Sequence, residues 1–218
     1  MELEKKLEQT FEELKIRHED RESINHILEL IRRKDALTYA HMLRVGFLCR
    51  DIAKQEYMNE KSLFYAGILH DTGKLLVPNN ILTKTDGFDE RDMENIRKHV
   101  IDGYLILQDI HPFSAEVILR HHLYQERPYP KILPQYDRFV SQTESNLISN
   151  YARIVALADV YDVLNNRIND KFGKTKISKE KAKSIILEKN PDQSKLINAL
   201  YEAGIFCDGR NGTHDKGN

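Results

Sequence analysis

Five of the chain's nine histidines fall into an ordered series with two aspartates: His41, His70-Asp71, His99, His121-His122 and Asp159. Imidazole nitrogen and carboxylate oxygen are side-chain ligands of first-row metals such as Mn, Fe, Co and Zn. An adjacent His-Asp at a helix end can aim two ligands at one ion, or let the carboxylate span two. Two ions about 3.5–4 Å apart can activate one water and clamp phosphate oxygens, which is the chemistry of metal-assisted phosphoester hydrolysis. No member carries this alone. His70 ends the apolar run LFYAGIL, where a satisfied core histidine is the ordinary outcome. Asp159 is the least ordinary of the set, because it lies within ARIVALADVYDVL, a stretch apolar enough to be buried. An ionised carboxylate there is costly unless it is paired or metal-bound.

The elements that must hold these residues are helical nearly throughout. Leu3, Leu7, Phe11 and Leu14 recur at helical spacing among Glu and Lys and predict an amphipathic first helix. A second, from about Glu22 to Arg33, carries Ile24, Ile27, Leu28 and Ile31. These two can pack on their own domain or form a homodimer with a second copy, the first being the simpler outcome. Core helices begin at Leu37, one with Leu43, Val45, Phe47, Leu48 and Ile52, the next with Leu63, Phe64, Ala66, Gly67 and Leu69. Asp71-Thr72-Gly73 breaks that helix and Pro78-Asn79-Asn80 continues the turn. A helix is expected from about Glu90 to Gln108 and a short one from Pro112 to His122. A strongly apolar one should run from Tyr151 to Leu164, with two more at 178–189 and 192–203. Between Tyr124 and about Glu144, three prolines, three tyrosines and little periodicity predict a long loop, of the kind that serves as a lid or binding loop. The fold class expected is all-α: an N-terminal helical extension (1–34), a helical-bundle catalytic domain (35–205) and a disordered tail (206–218) ending in DGRNGTHDKGN.

Composition narrows the partners. Hydrophobic residues make up 40% and charged residues 31%, ordinary for a globular domain. Lys and Arg number 33 against 34 Asp and Glu, for a formal net charge of -1. That argues against a duplex-nucleic-acid binder, which needs a strongly basic face, and leaves room for a basic pocket around a small phosphorylated ligand. Cys49 and Cys207 form neither a metal-binding spacing nor a disulfide framework, and Cys49 reads as a reduced core thiol. MELEKKLEQT has no signal-peptide core, and no apolar run approaches the ~20 residues that span a bilayer. A cytoplasmic protein without a membrane partner is the expectation.

The series, with the stretches HMLRV (41–45), AGILHDTGKLLVPNNILTK (66–84), KHVIDGYLIL (98–107), HH (121–122) and ARIVALADVYDVL (152–164), resembles the HD superfamily of phosphohydrolases, and within it the HD-GYP branch. The likeness runs from roughly residue 37 to 167. It implies an all-α fold and hydrolysis of cyclic di-GMP to pGpG, in some members onward to GMP. Carried over residue by residue, it implies that His41, His70, Asp71 and Asp159 hold one divalent ion. Asp71, as a bridge, would hold a second ion with His99, His121 and His122. A hydroxide between the ions would attack phosphorus in line with the departing 3′ oxygen. Lys74, in HDTGK, matches the family lysine that reaches the phosphate and offsets developing charge; by itself it also reads as a solvated lysine in a helix-end turn. Fe or Mn suits this ligand mix better than Mg, whose ligands are mostly carboxylates and water.

The chain departs from the family in its recognition loop. Where the family reads roughly HHExxDGxGYP, this chain has HHLYQERPYP, with Leu123 for the glutamate, no Asp-Gly pair and Arg127 near the lost glycine. Arg127 and Tyr129 remain candidate substrate contacts, although Arg127 reads equally as a solvated loop arginine. Tyr124, Tyr129 and Tyr136 can stack on a guanine ring or pack on their own domain. Some members take a third metal through a glutamate one turn before the first histidine; Leu37 stands there, so two ions are expected. In place of the family's DRPYR-like segment stands NNRIND, where Arg167 is the nearest basic candidate. His18, His26, His111, His214 and Asp162 fall outside the matched set. The leading expectation is a cyclic di-GMP phosphodiesterase. The alternatives are hydrolysis of another nucleotide or phosphate ester, and a regulatory module that binds cyclic di-GMP with little turnover.

Overall fold

The computed structural model describes residues 2–84, 86–134, 141–166 and 177–206. Arg167, Tyr136, Cys207 and the tail from 207 onward lie outside the described residues. Helices α1 (Glu2–Glu13) and α2 (His18–Lys34) bury Leu7, Phe11, Ile24, Ile27, Leu28 and Ile31 against Met42, Leu43, Phe47 and Phe64. Phe11 meets the Phe64 ring edge-on at 6.1 Å. The apolar stripes of both helices therefore pack on their own domain. α2 starts at His18 rather than Glu22, since its first turn is polar; Glu19 and Asp20 there complement the helix dipole.

Asp35 accepts hydrogen bonds from the Leu37 and Thr38 amides and so starts α3 (Ala36–Gln55), while Asn59 does the same for α4 (Glu60–Leu69). These two helices lie very close. A Cβ added at Gly67 would sit 2.7 Å from Cys49 Sγ, so only glycine lets α4 approach α3 this far. The approach brings His41 on one helix to His70 at the end of the other. After α4 come a 3-10 turn (Thr72–Leu76) and the short α5 (Asn79–Leu82).

The helix expected over 90–108 is in fact two, α6 (Glu90–Arg97) and α7 (His99–Leu107). The backbone at Lys98 stays right-handed (φ -63°, ψ -22°), but the Ile96 carbonyl is taken by the His99 ring. Pro112 opens α8 (Pro112–Arg120) at its first position, and turns follow through residue 134. α9 (Gln142–Asn166) begins well before Tyr151, inside the stretch expected to be loop, because its polar first turns carry no apolar period. Ser178 caps α10 (Lys179–Lys189), and a 3-10 turn (Pro191–Gln193) leads into α11 (Ser194–Glu202). Phe206, expected to open the tail, is instead buried and stacked on Tyr161 at 4.0 Å, closing the core beside α11. The described residues contain no strand.

Helices α3, α4 and α8 are apolar on two sides, as helices buried in a core must be. Val45, Cys49, Leu63, Ala66 and Val117 pack toward α9, α10 and α11. Met42, Phe47, Phe64, Ile68 and Ile118 pack toward α1, α2 and α7. No helix among the described residues is long and apolar enough to cross a membrane.

Candidate metal centre

His70 and His121 stand where α4 and α8 end, and His99 stands just after the break at Lys98. Helix ends leave carbonyls without intrahelical partners. Each of these rings turns Nδ1 to the carbonyl three residues back: His70 to Gly67 at 2.8 Å, His99 to Ile96 at 2.7 Å and His121 to Ile118 at 2.5 Å. A carbonyl oxygen only accepts, so Nδ1 carries the proton and Nε2 keeps its lone pair for the interior. The Nε2 atoms of His99 and His121 are buried without a hydrogen-bond partner. Leaving such atoms unpaired is costly, and a cation at the centre would relieve the cost.

The remaining donors converge on the same volume. His41 Nε2 lies 3.2 Å from His70 Nε2 and 3.1 Å from Asp159 Oδ1. Asp71 faces two ways: Oδ2 is 3.3 Å from His70 Nε2 and 3.6 Å from His41 Nε2, while Oδ1 is 3.4 Å from His99 Nε2. Ligand atoms about 2.1 Å from one ion lie about 3–3.4 Å from each other, so these separations fit shared coordination. His41, His70 and Asp71 form one donor group and His99, His121 and His122 another, with His70, His121 and Asp159 spanning the two. The set fits divalent metal.

Burial governs the charge states. It pushes His99 down to about 4 and His121 down to about 3, and it holds His122 well below the ordinary histidine range. These rings are neutral near pH 7, as ligands must be. Burial pulls His70 down too, but the charge and hydrogen bond of Asp71, with Asp159, outweigh it and raise the net value. Burial pushes Asp71 upward, yet Lys74, His70 and His99 hold it well below the usual carboxylate range. Asp159 is likewise held low, burial being outweighed chiefly by His41.

The 3-10 turn carries Lys74 back over Asp71, where Nζ donates to Oδ2 at 2.5 Å. Lys74 is 8% exposed, so it is a buried partner of the carboxylate and not a solvated lysine. The turn can lie against α7 only because residue 73 is glycine. A Cβ there would sit 1.9 Å from the His99 carbonyl oxygen and 2.5 Å from the Gly103 nitrogen.

Residues 38–164, more than half of the chain, match the HD domain. The chain belongs to the HD domain family. It is 31% identical over 173 residues to a cyclic di-GMP phosphodiesterase of Thermotoga maritima, covering 74% of this chain and 44% of that protein. It is 33% identical over 154 residues to the cyclic di-GMP phosphodiesterase PA4108 of Pseudomonas aeruginosa, covering 65% and 34%. It is 30% identical over 139 residues to 3'3'-cGAMP-specific phosphodiesterase 1 of Vibrio cholerae, covering 60% and 30%. The chain thus spans less than half the length of these curated relatives. The phosphodiesterase PgpH HD domain of L. monocytogenes shares its fold, with a TM-score of 0.58 over 82% of this chain and 95% of that one at 18% identity. The same domain in complex with cyclic-di-AMP gives 0.57 over 82% and 94% at 19% identity.

In this HD domain the loop after the paired histidines is only partly drawn into the centre. Tyr129 stacks on His122 (4.4 Å, 27°) and meets His99 edge-on at 6.1 Å. Burial, with the charges of Asp159 and Asp71, raises its phenol well above the ordinary range. Arg127 is exposed. Tyr124 packs on its own domain: its hydroxyl donates to the Ser149 carbonyl at 2.9 Å and Arg153 lies over its ring. His18 and His26 are exposed, and His111 packs against Tyr65, so none of the three joins the centre.

Two residues at the HD site escaped the sequence reading. The Gln125 side-chain amide meets His122 Nδ1, and nothing in its residue type signals that. Asp162 meets His41 Nδ1 at 2.7 Å and is 1% exposed. Its signal was available: a second carboxylate one turn after Asp159 on the same apolar helix face.

Proposed function

We propose that the chain is a metal-dependent phosphodiesterase that hydrolyses cyclic di-GMP to pGpG, and in part onward to GMP, at a two-ion site. The observation that carries this is the buried Asp71 carboxylate, with one oxygen toward His41 and His70 and the other toward His99. On this reading His41, His70, Asp71 and Asp159 hold one ion, and Asp71, His99, His121 and His122 hold the second. Leu37 cannot ligate, so the count stays at two. The mixed imidazole and carboxylate set suits Fe or Mn.

Such ions supply Lewis acidity toward phosphate oxygens and a water of lowered pKa. The chain's own residues do the rest. The neutral rings of His99, His121 and His122 keep the base of the site free of competing protons. Lys74 holds a cation against Asp71, where it offsets charge developing on a phosphate bound alongside. Tyr129 covers His122 and excludes water from that side. Arg127, on the loop, and Arg167, next in the sequence after α9, are the proposed phosphate contacts. Residues 35–205 form the catalytic unit and 1–34 its extension. A homodimer through α1 and α2 would have to use their outward faces, where Leu30 is 56% exposed, because their apolar stripes are buried.

A second substrate within the same chemistry is favoured by the altered loop. The glycine and the Asp-Gly pair of the family are missing between His122 and Tyr129, and one relative is named for 3'3'-cGAMP. The test begins with metal-free protein loaded separately with Fe, Mn and Zn. Each form is then incubated with cyclic di-GMP, 3'3'-cGAMP and cyclic di-AMP, and products are resolved by chromatography. Two ions per chain with pGpG or GMP is the expected result. Two ions with product only from another dinucleotide moves the assignment to the second substrate. Tight binding of cyclic di-GMP without product indicates a regulatory module, and no metal uptake overturns the proposal.

A further inference from the structure

We propose that Asp162 is a positioning residue of this centre: it locks the His41 ring so that Nε2 faces His70 and Asp71, and Arg44 in turn locks Asp162. The inference rests on the two-ion reading above and concerns a residue outside the donor set.

The reason His41 needs such a residue lies in where it sits. His70, His99 and His121 stand at helix ends or breaks and find a backbone carbonyl for Nδ1. His41 lies inside α3, where the carbonyls of the preceding turn are used by the helix's own ladder. A side chain must take the ring proton instead. Asp162 on α9 does so: Oδ2 lies 2.7 Å from His41 Nδ1. A carboxylate only accepts, so Nδ1 carries the hydrogen and Nε2 presents its lone pair, 3.1 Å from Asp159 Oδ1.

Asp162 is itself held on every side. Arg44 Nε donates to Oδ1 at 2.7 Å and Nη2 to Oδ2 at 2.9 Å, a two-pronged clamp, and the Asn166 amide donates to Oδ1 at 2.8 Å. Arg44 follows His41 by three residues on α3, and Asp162 follows Asp159 by three on α9. The residue that holds His41 thus sits one turn after Asp159 on α9, and Arg44, one turn after His41 on α3, holds that residue across the helix pair. Both Asp162 oxygens are engaged on the Nδ1 side of the ring, away from Nε2. The residue therefore orients a ligand and does not become one.

The test is a Mn2+ titration of the full chain, with wild type, Asp162→Asn and Arg44→Gln measured side by side. An amide offers one acceptor where Arg44 and His41 both need one, so Asp162→Asn frees the ring. We expect wild type to take two ions. Asp162→Asn should keep one affinity unchanged and weaken the other by about 10–100-fold, the usual effect of losing a residue that orients a ligand. Arg44 is partly exposed, and its loss should weaken the same affinity by a smaller factor. The melting temperature of the metal-free proteins, which a merely structural role would lower, should stay close to wild type. Two ions bound to Asp162→Asn with wild-type affinities would overturn the inference. So would equal weakening of both affinities together with a lower metal-free melting temperature. If Asp162→Asn does not fold, Arg44→Gln decides: a selective loss supports the inference and unchanged binding overturns it. Wild type taking fewer than two ions would instead remove the two-ion reading beneath it.

Discussion

At the base of the site, seven candidate donors are each 9% exposed or less, and every histidine ring has its Nδ1 engaged. On the loop above them, Arg127 faces solvent, while Tyr129 stacks on His122 and the Gln125 side chain meets its Nδ1. The base is assembled from helix ends and breaks, with His41 and Asp159 inside α3 and α9, in a packed bundle where geometry is fixed by the core. The rim is a run of turns that can change sequence without disturbing that core. On the proposed function, reaction chemistry and substrate choice would rest on parts of the molecule with different tolerance. A change at the base should be expensive and a change at the rim cheap.

The largest break should come at Asp71, whose two oxygens face His70 on one side and His99 on the other. Asp71→Ala is expected to weaken both ions and to lower turnover by about 10³-fold, in line with losing a preorganised electrostatic group and its charge. Metal stoichiometry and product formation check this. Full activity in that variant would show that the bridge is assigned to the wrong residue.

Next in size is Gly73→Ala, which touches no donor. Its Cβ would collide with the His99 carbonyl at 1.9 Å, so α7 or the Asp71 turn must shift by roughly 1 Å. A misplacement of that size costs about 10²-fold in rate. The melting temperature should fall with it. If kcat survives, the base is less rigid than its packing implies.

A smaller effect should separate the two regions by pH. His99 and His121 are pushed down to about 4 and about 3 in the folded chain. Between pH ~6.5 and those values the unfolded chain binds protons that the folded chain refuses. Metal-free stability should thus fall as pH drops through that window, by up to about 1.4 kcal/mol per pH unit per ring. His70 acts above that window: its raised value gives a contribution that is complete below pH ~6.5 and is lost as pH rises through the raised value. Asp71 and Asp159, both held low, give stability that is lost only below the ordinary carboxylate range. Melting temperatures of the metal-free protein from pH 7 to 4 check the sign; a flat profile would mean that water enters the base.

What could be read in the chain before its structure follows the same division. The all-α bundle and the apolar faces of α3, α4 and α9 were legible because burial imposes a period. The donor series was legible because its residue types are rare in apolar runs. The break at Lys98 was not, since it depends on where the His99 ring sends its proton. The start of α9 was hidden by polar turns, and the buried Phe206 by the glycine-rich sequence after it. Asp162 stood out only as a second carboxylate one turn after Asp159, and its partner did not show, because only the fold reveals that a ring inside α3 has no carbonyl to use.

The smallest effect expected is at Arg127, and it probes the rim directly. An exposed guanidinium that contacts a phosphate in water contributes at most about 1 kcal/mol. Arg127→Ala should then raise KM several-fold, with kcat and metal content unchanged. Arg127→Lys keeps the charge and loses the planar fork, so the two variants separate long-range attraction from a two-pronged contact. Measured with cyclic di-GMP and 3'3'-cGAMP in parallel, unequal changes in KM would make the rim the seat of substrate choice. A collapse of kcat with both ions retained would place Arg127 at the reacting phosphate instead, and the division between base and rim would no longer hold.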